Sequence, residues 1–134
     1  MWQSDSTQSQ EPGRAKSEAA MARLIDDGTV GRLWFIRHDG APVGFVALVF
    51  SFSLEFGGRV AFIDELFIDE PFRGQGIGRS AIELLVHEAR RLHVRTLLLE
   101  VNESNLPARR VYERCGFTDR KYRLMSKCLL EDLP

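Results

Sequence analysis

Between Arg73 and Arg79 the chain reads R-G-Q-G-I-G-R, three glycines within five residues bounded by two arginines. Glycine lets backbone N–H groups approach a ligand with no Cβ in the way. An apolar strand pattern, Phe62 to Ile68, precedes this stretch and stops at Pro71. After it, Ile77, Ala81, Leu84, Leu85, Ala89 and Leu92 recur at helical spacing. A helix opening on such a turn adds its partial positive charge to its free N–H groups. The chemistry is anion binding, and Arg73, Gly74, Gln75, Gly76, Ile77, Gly78 and Arg79 form a candidate pyrophosphate cradle. A Walker loop is excluded because no Gly-Lys-Ser/Thr follows. A dinucleotide fingerprint needs glycine where Arg79 stands and belongs at the first βα junction, whereas two strand-like segments precede this one.

Carboxylates supply the next candidates. Asp64 and Glu65 interrupt an otherwise apolar strand, and simple alternation sends them to opposite faces. Burying a carboxylate without a partner is costly, so the pair is expected to serve either a reaction or a structural hydrogen bond. Glu100, in L-L-L-E-V-N, closes another apolar run. On a later helix Ala108, Val111, Tyr112 and Cys115 share one face, which turns Tyr112 inward. The three histidines have no metal-ligand spacing, so no metal is expected.

The elements that must position these residues follow in order. A chain of 134 residues, 44% hydrophobic, suits one domain with a real core. Met1 to Lys16 is polar and reads as a disordered leader, leaving residues 17–134 as the domain. Ser17 to Asp27 offers a short amphipathic helix stopped by Gly28 and Gly31. Leu33 to Arg37 and Val43 to Phe52 read as strands joined by a tight turn at Asp39-Gly40, and Val60 to Ile68 returns after Gly57-Gly58. Thr96 to Val101, following the glycine-led helix, predicts a βαβ crossover with parallel strands. A second helix spans Pro107 to Arg114 between Asn105 and Gly116, and Lys121 to Leu130 reads as an edge strand. The fold class is α/β, a mixed sheet with flanking helices.

Eighteen basic residues nearly balance nineteen acidic ones, which gives no general pull toward nucleic acid or membrane. The longest apolar run, Phe45 to Phe50, is far short of the ~20 residues that a membrane helix needs. Cys115 and Cys128 do not form a disulfide framework, and the expected location is cytoplasmic.

Two segments together carry a family resemblance. Arg-x-x-Gly-x-Gly after a strand, beginning at Arg73, resembles the GCN5-related N-acetyltransferases (GNAT). Asn105, Ala108, Tyr112, Gly116 and Phe117 resemble that superfamily's Asn-x-x-Ala-x-x-x-Tyr-x-x-x-Gly-Phe segment. The resemblance covers most of residues 31–130 and implies a central mixed sheet with acetyl-CoA held at the glycine turn. It also implies that the strands flanking the crossover part, freeing backbone groups of Leu66, Phe67 and Ile68 for the pantetheine arm and the oxyanion. Tyr112 would protonate the leaving sulfur, and Asn105 would lie near the cofactor. For the base, Asp64, Glu65 and Glu100 each correspond to a position used within the superfamily.

Family members usually open with a strand and helix that the polar leader replaces here, so the chain is expected to be truncated or completed by another subunit. A bare edge beside Leu33 to Arg37 then predicts self-association, a dimer first. Leu54 to Glu70 carries five acids against one base, whereas Arg109 to Lys127 carries seven bases against two acids. An acidic acceptor wall suits a cationic amine. The stretch from Gly44 to Ser53 also resembles polyamine-type members. A small amine is therefore the first expected acceptor, a protein amino group the second, and a CoA-binding module without catalysis the third reading.

Overall fold

The computed structural model describes residues 11–130. Helix α1 spans Glu11–Asp26, strand β1 Gly31–His38, β2 Ala41–Ser53 and β3 Gly58–Ile68. A single turn of 3-10 helix, Glu70–Phe72, leads into helix α2, Ile77–Arg91, followed by β4, Thr96–Leu99, and α3, Leu106–Arg114. The strands form one sheet in the order β1-β2-β3-β4. The β1–β2 and β2–β3 pairs are antiparallel, and β3–β4 is parallel. The crossover expected from the apolar periods is thus the one that forms, and α2 bridges the two parallel strands.

Local chemistry accounts for these boundaries. Asp39 and Gly40 both have positive φ, 51° and 81°, the pairing that a tight two-residue hairpin requires. Glycine is needed at position 44 because a Cβ there would overlap the carbonyl oxygen of Phe67 on β3. Leu48, Ile63, Leu66, Ile68 and Ile82 are almost wholly buried. Val46, Leu48, Ala61, Ile63 and Leu66 of the sheet pack with Ala81, Ile82 and Leu85 of α2 and with Ala108 and Tyr112 of α3. Both helices therefore cover one face and share a core with β3.

Two expectations need correction. Helix α1 begins at Glu11 rather than Ser17, so residues 11–16 are helical rather than part of a disordered leader. Pro12 falls in the first turn, where the missing N–H interrupts no intrahelical bond. The rest of the expected leader lies outside the described residues. At the other end, Lys121 to Leu130 forms no strand. A strand needs a ladder partner, and β4 pairs over its four residues with β3 alone. Tyr122, Leu124, Met125, Leu129 and Leu130 stay exposed. Arg120 anchors the start of this segment through Glu55 at 2.6 Å. Among the described residues no helix is long and apolar enough to cross a membrane.

Candidate active site

The site begins where two strands part. Parallel pairing of β3 with β4 runs from Val60 opposite Thr96 to Ile63 opposite Leu99 and ends there. On its other side β3 stays paired with β2 as far as Ile68, opposite Gly44. Among the described residues, 64–68 therefore have a sheet neighbour on one side only. Strand β4 ends at Leu99, two residues earlier than its apolar pattern predicts. Glu100 is exposed just beyond the end of β4.

The same stretch of β3 carries a register shift. Ala47 lies opposite Glu65 and Leu48 opposite Ile63, so Asp64 is an extra residue without a counterpart on β2. Burial changes phase across it, from Ala61 and Ile63 before to Leu66 and Ile68 after. This corrects the expectation that alternation sends Asp64 and Glu65 to opposite faces, because alternation does not carry through a bulge. Asp64 is exposed and Glu65 only partly so. Burial raises the Glu65 carboxyl above its ordinary value, and the adjacent Asp64 charge raises it further.

Past Ile68 the chain turns into the glycine stretch. The Arg73 Nε donates to the Ile68 carbonyl at 2.7 Å, with its guanidinium 5.5 Å from the Phe67 ring centroid. Arg73 thus pins the turn to the end of β3, a role its place in the motif did not reveal. The Gln75 amide donates to the Pro71 carbonyl at 3.1 Å. Gly74 and Gly76 adopt positive φ, 76° and 81°, and Gly76 caps α2. The Ser80 N–H donates to the Gly76 carbonyl at 3.1 Å. The N–H groups of Ile77, Gly78 and Arg79 then open the helix, where no carbonyl lies one turn back. No acidic residue stands in that first turn. Donors, dipole and open space above the glycines fit a phosphate-bearing group. Arg79 reaches along the helix to Glu83 at 3.3 Å.

Helix α3 supplies the remaining candidates. The Asn105 side-chain oxygen accepts from the Ala108 N–H at 3.3 Å, so its visible task is to cap the helix. Tyr112 is 2% exposed and packs edge-on to Phe117, with ring centroids 5.9 Å apart. It belongs to the core that holds Ile63 and Leu66, at the level where β3 and β4 part. Burial, with Cys115 nearby, pushes the Tyr112 hydroxyl well above its usual range, so it keeps its proton at neutral pH. Leu66 and Tyr112 thus share one core, and the glycine turn follows directly on the end of β3 at Ile68.

The raised Glu65 carboxyl has a consequence for stability. Below the ordinary glutamate value both folded and unfolded chains are protonated there. As pH rises, the unfolded chain releases its proton first, and stability falls until the folded carboxyl has also ionised. Glu65→Gln removes this loss, so the variant should be more stable than the parent at pH 7.5 and equal to it at pH 4. Urea midpoints at the two pH values check this, and a difference independent of pH would contradict it.

Comparison with known proteins agrees with this geometry. Residues 2–117 match the sequence profile of the acetyltransferase (GNAT) family. The chain is 38% identical over 61 residues to the spermine/spermidine N(1)-acetyltransferase of Bacillus subtilis, covering 45% of this chain and 40% of that protein. It is 39% identical over 56 residues to the [ribosomal protein bS18]-alanine N-acetyltransferase of Escherichia coli, covering 42% of this chain and 38% of that protein. The matched stretch is thus about two fifths of the length of either relative. Among solved structures, an integron cassette protein from the mobile metagenome of Cole Harbour salt marsh superimposes with a TM-score of 0.73. It is 32% identical, over 83% of this chain and 68% of that one. With the profile spanning the parted strands, the glycine turn and Tyr112, the chain belongs to the GNAT acetyltransferase family.

Proposed function

We propose that the chain is an N-acetyltransferase, acting in the cytoplasm as a homodimer, that moves an acetyl group from acetyl-CoA to a primary amine of a small molecule. The observation that carries the reading is the meeting of a one-sided stretch of β3 with the glycine-capped N-terminus of α2. Acetyl-CoA, when bound, supplies the activated acyl carbonyl. The N–H groups of Ile77, Gly78 and Arg79, with Gly74, Gln75 and Gly76 lining the turn, hold the pyrophosphate. Arg73 keeps that turn on β3. Backbone groups of Leu66 and the N–H of Ile68, beside Phe67, face the β4 side and take an extended arm as a strand edge takes a peptide, with one N–H toward the developing oxyanion. Asn105 positions the start of α3 beside the cofactor.

Proton transfers fall to three side chains. Glu65, with its carboxyl raised by burial, accepts the proton of an incoming ammonium more readily than an ordinary carboxylate. Asp64 beside it adds negative charge that draws a cationic amine. Tyr112, still protonated, gives its proton to the departing sulfur. The likeness to a polyamine acetyltransferase supports a small cationic acceptor. The likeness to an enzyme acting on a ribosomal protein favours a second reading, a protein amino group, with Glu100 as the base.

Thiol release from acetyl-CoA, followed across polyamines, aminosugars and short peptides, tests the proposal. Release dependent on a small amine supports it, release only with peptides selects the second reading, and CoA binding without turnover on any acceptor overturns both. Gly76→Asp places a negative charge at the helix N-terminus and should weaken acetyl-CoA binding at least about tenfold by calorimetry. Tyr112→Phe keeps the ring packing and should leave thermal stability nearly unchanged while turnover falls roughly 100-fold. Turnover at the parental level would transfer the acid role to another group.

A further inference from the structure

Val46 and Leu66 are opposed in the sheet and buried against α2 and α3. Their neighbours Phe45, Ala47, Glu65 and Phe67 therefore point to the other face. There Glu65 stands opposite Ala47, and the next row is Phe67, Phe45 and Phe35, one residue from each of β3, β2 and β1. The Phe45 and Phe67 rings lie 5.9 Å apart between centroids, tilted by 33°. Phe35 is 65% exposed, while Phe45, Phe67 and Glu65 are partly exposed, so solvent reaches both the carboxylate and the row. Helix α1 meets this face beside Gly31, about 13 Å along β1 from Phe35 at strand spacing.

We infer that this face selects the acceptor, a primary amine whose single ammonium group is joined by a short alkyl chain to an aromatic ring. The inference narrows the acceptor class of the function proposed above and rests on that reading. Glu65 and Phe67 flank Leu66, whose backbone takes the acyl arm in that reading. An ammonium at Glu65 thus lies beside the carbonyl that its nitrogen must attack. The ring lies one row on, about 7 Å along the strand, a distance that about two or three methylenes span. Phe45 meets it there, with Phe67 and Phe35 on either side.

Charge on the row decides between kinds of amine. The second ammonium of a diamine would fall among rings beside the Arg73 guanidinium. That guanidinium stands 5.5 Å from the Phe67 centroid and is fixed by its bond to the Ile68 carbonyl. Rings attract a cation, but Phe67 already carries one, and no carboxylate belongs to the row to offset the repulsion. A neutral ring meets no such penalty and buries apolar surface against Phe45. Exposed Asp64, next to Glu65, adds attraction for the one ammonium.

Acetylation kinetics with 2-phenylethylamine, 1,4-diaminobutane and ethanolamine test the inference. In the parent, kcat/KM should be at least about tenfold higher for 2-phenylethylamine than for either other amine. Phe45→Ala should lower that value about tenfold through KM and leave ethanolamine within about twofold. Phe35→Asp, at an exposed position where the fold tolerates it, places a carboxylate on the row and should move the preference toward the diamine. Circular dichroism should match the parent for this variant. A parental preference for the diamine or ethanolamine would overturn the inference and leave acetyl transfer to a small amine standing. Equal losses on all three amines in Phe45→Ala, with no change of preference in Phe35→Asp, would also overturn it. Acetyl-CoA binding without turnover on any amine would overturn the underlying reading as well.

Discussion

Parallel pairing between β3 and β4 lasts only from Val60–Thr96 to Ile63–Leu99, and the arrangement of the site depends on where it stops. A parallel pair requires a crossover, and α2 is that crossover, packed against the sheet through Ala81, Ile82 and Leu85. Because β3 continues five residues beyond the last pair, its end has a strand partner on the β2 side only among the described residues. The bulge at Asp64 occurs at the same level. It changes the phase of β3, so that Leu66 and Ile68 are buried and the core remains continuous beyond the parting. If Asp64 took a regular place in the alternation instead of being bulged out, Glu65 and Phe67 would turn to the face occupied by Ile63.

Burial shifts the Glu65 carboxyl and the Tyr112 hydroxyl in the same direction. Glu65 and Tyr112 both lose water, and in each the cost falls on the charged form. For tyrosine it makes a weaker acid of a phenol that is already neutral at pH 7. For glutamate it makes a stronger base than an ordinary carboxylate. The anion-binding end is built differently, from backbone donors and the α2 dipole, with Arg73 spent on fastening the turn to Ile68.

The far edge of the sheet has a different character. Helix α1 meets β1 near its first residue, where Leu24 stands beside Gly31, and Ile25 remains largely exposed. Trp34 and Ile36 are partly buried and pack against the core. A groove beside β1 runs from Trp34 and Ile36 to Gln75, Gly76 and Ile77, so the sheet edge and the glycine turn share one opening.

Much of this was legible in the residues themselves. The glycine turn, the helix periods and the hairpin at Asp39-Gly40 rest on local rules, which operate over a few residues whatever lies elsewhere. Asn105 as a cap and Tyr112 as an inward residue follow from helical geometry in the same way. Other features required neighbours distant in sequence. The phase of Asp64 and Glu65 depends on their partners in β2, and a bulge leaves no fixed mark in one strand's sequence. Lys121 to Leu130 has a strand-like composition but no ladder beside it, and a strand's hydrogen bonds belong to the pair. The helical character of residues 11–16 was hidden by polar composition, since apolar periodicity marks only helices that bury a face. Local sequence determined the parts that bind and cap, while pairing and burial decided which backbone edges stay open and which side chains lose water.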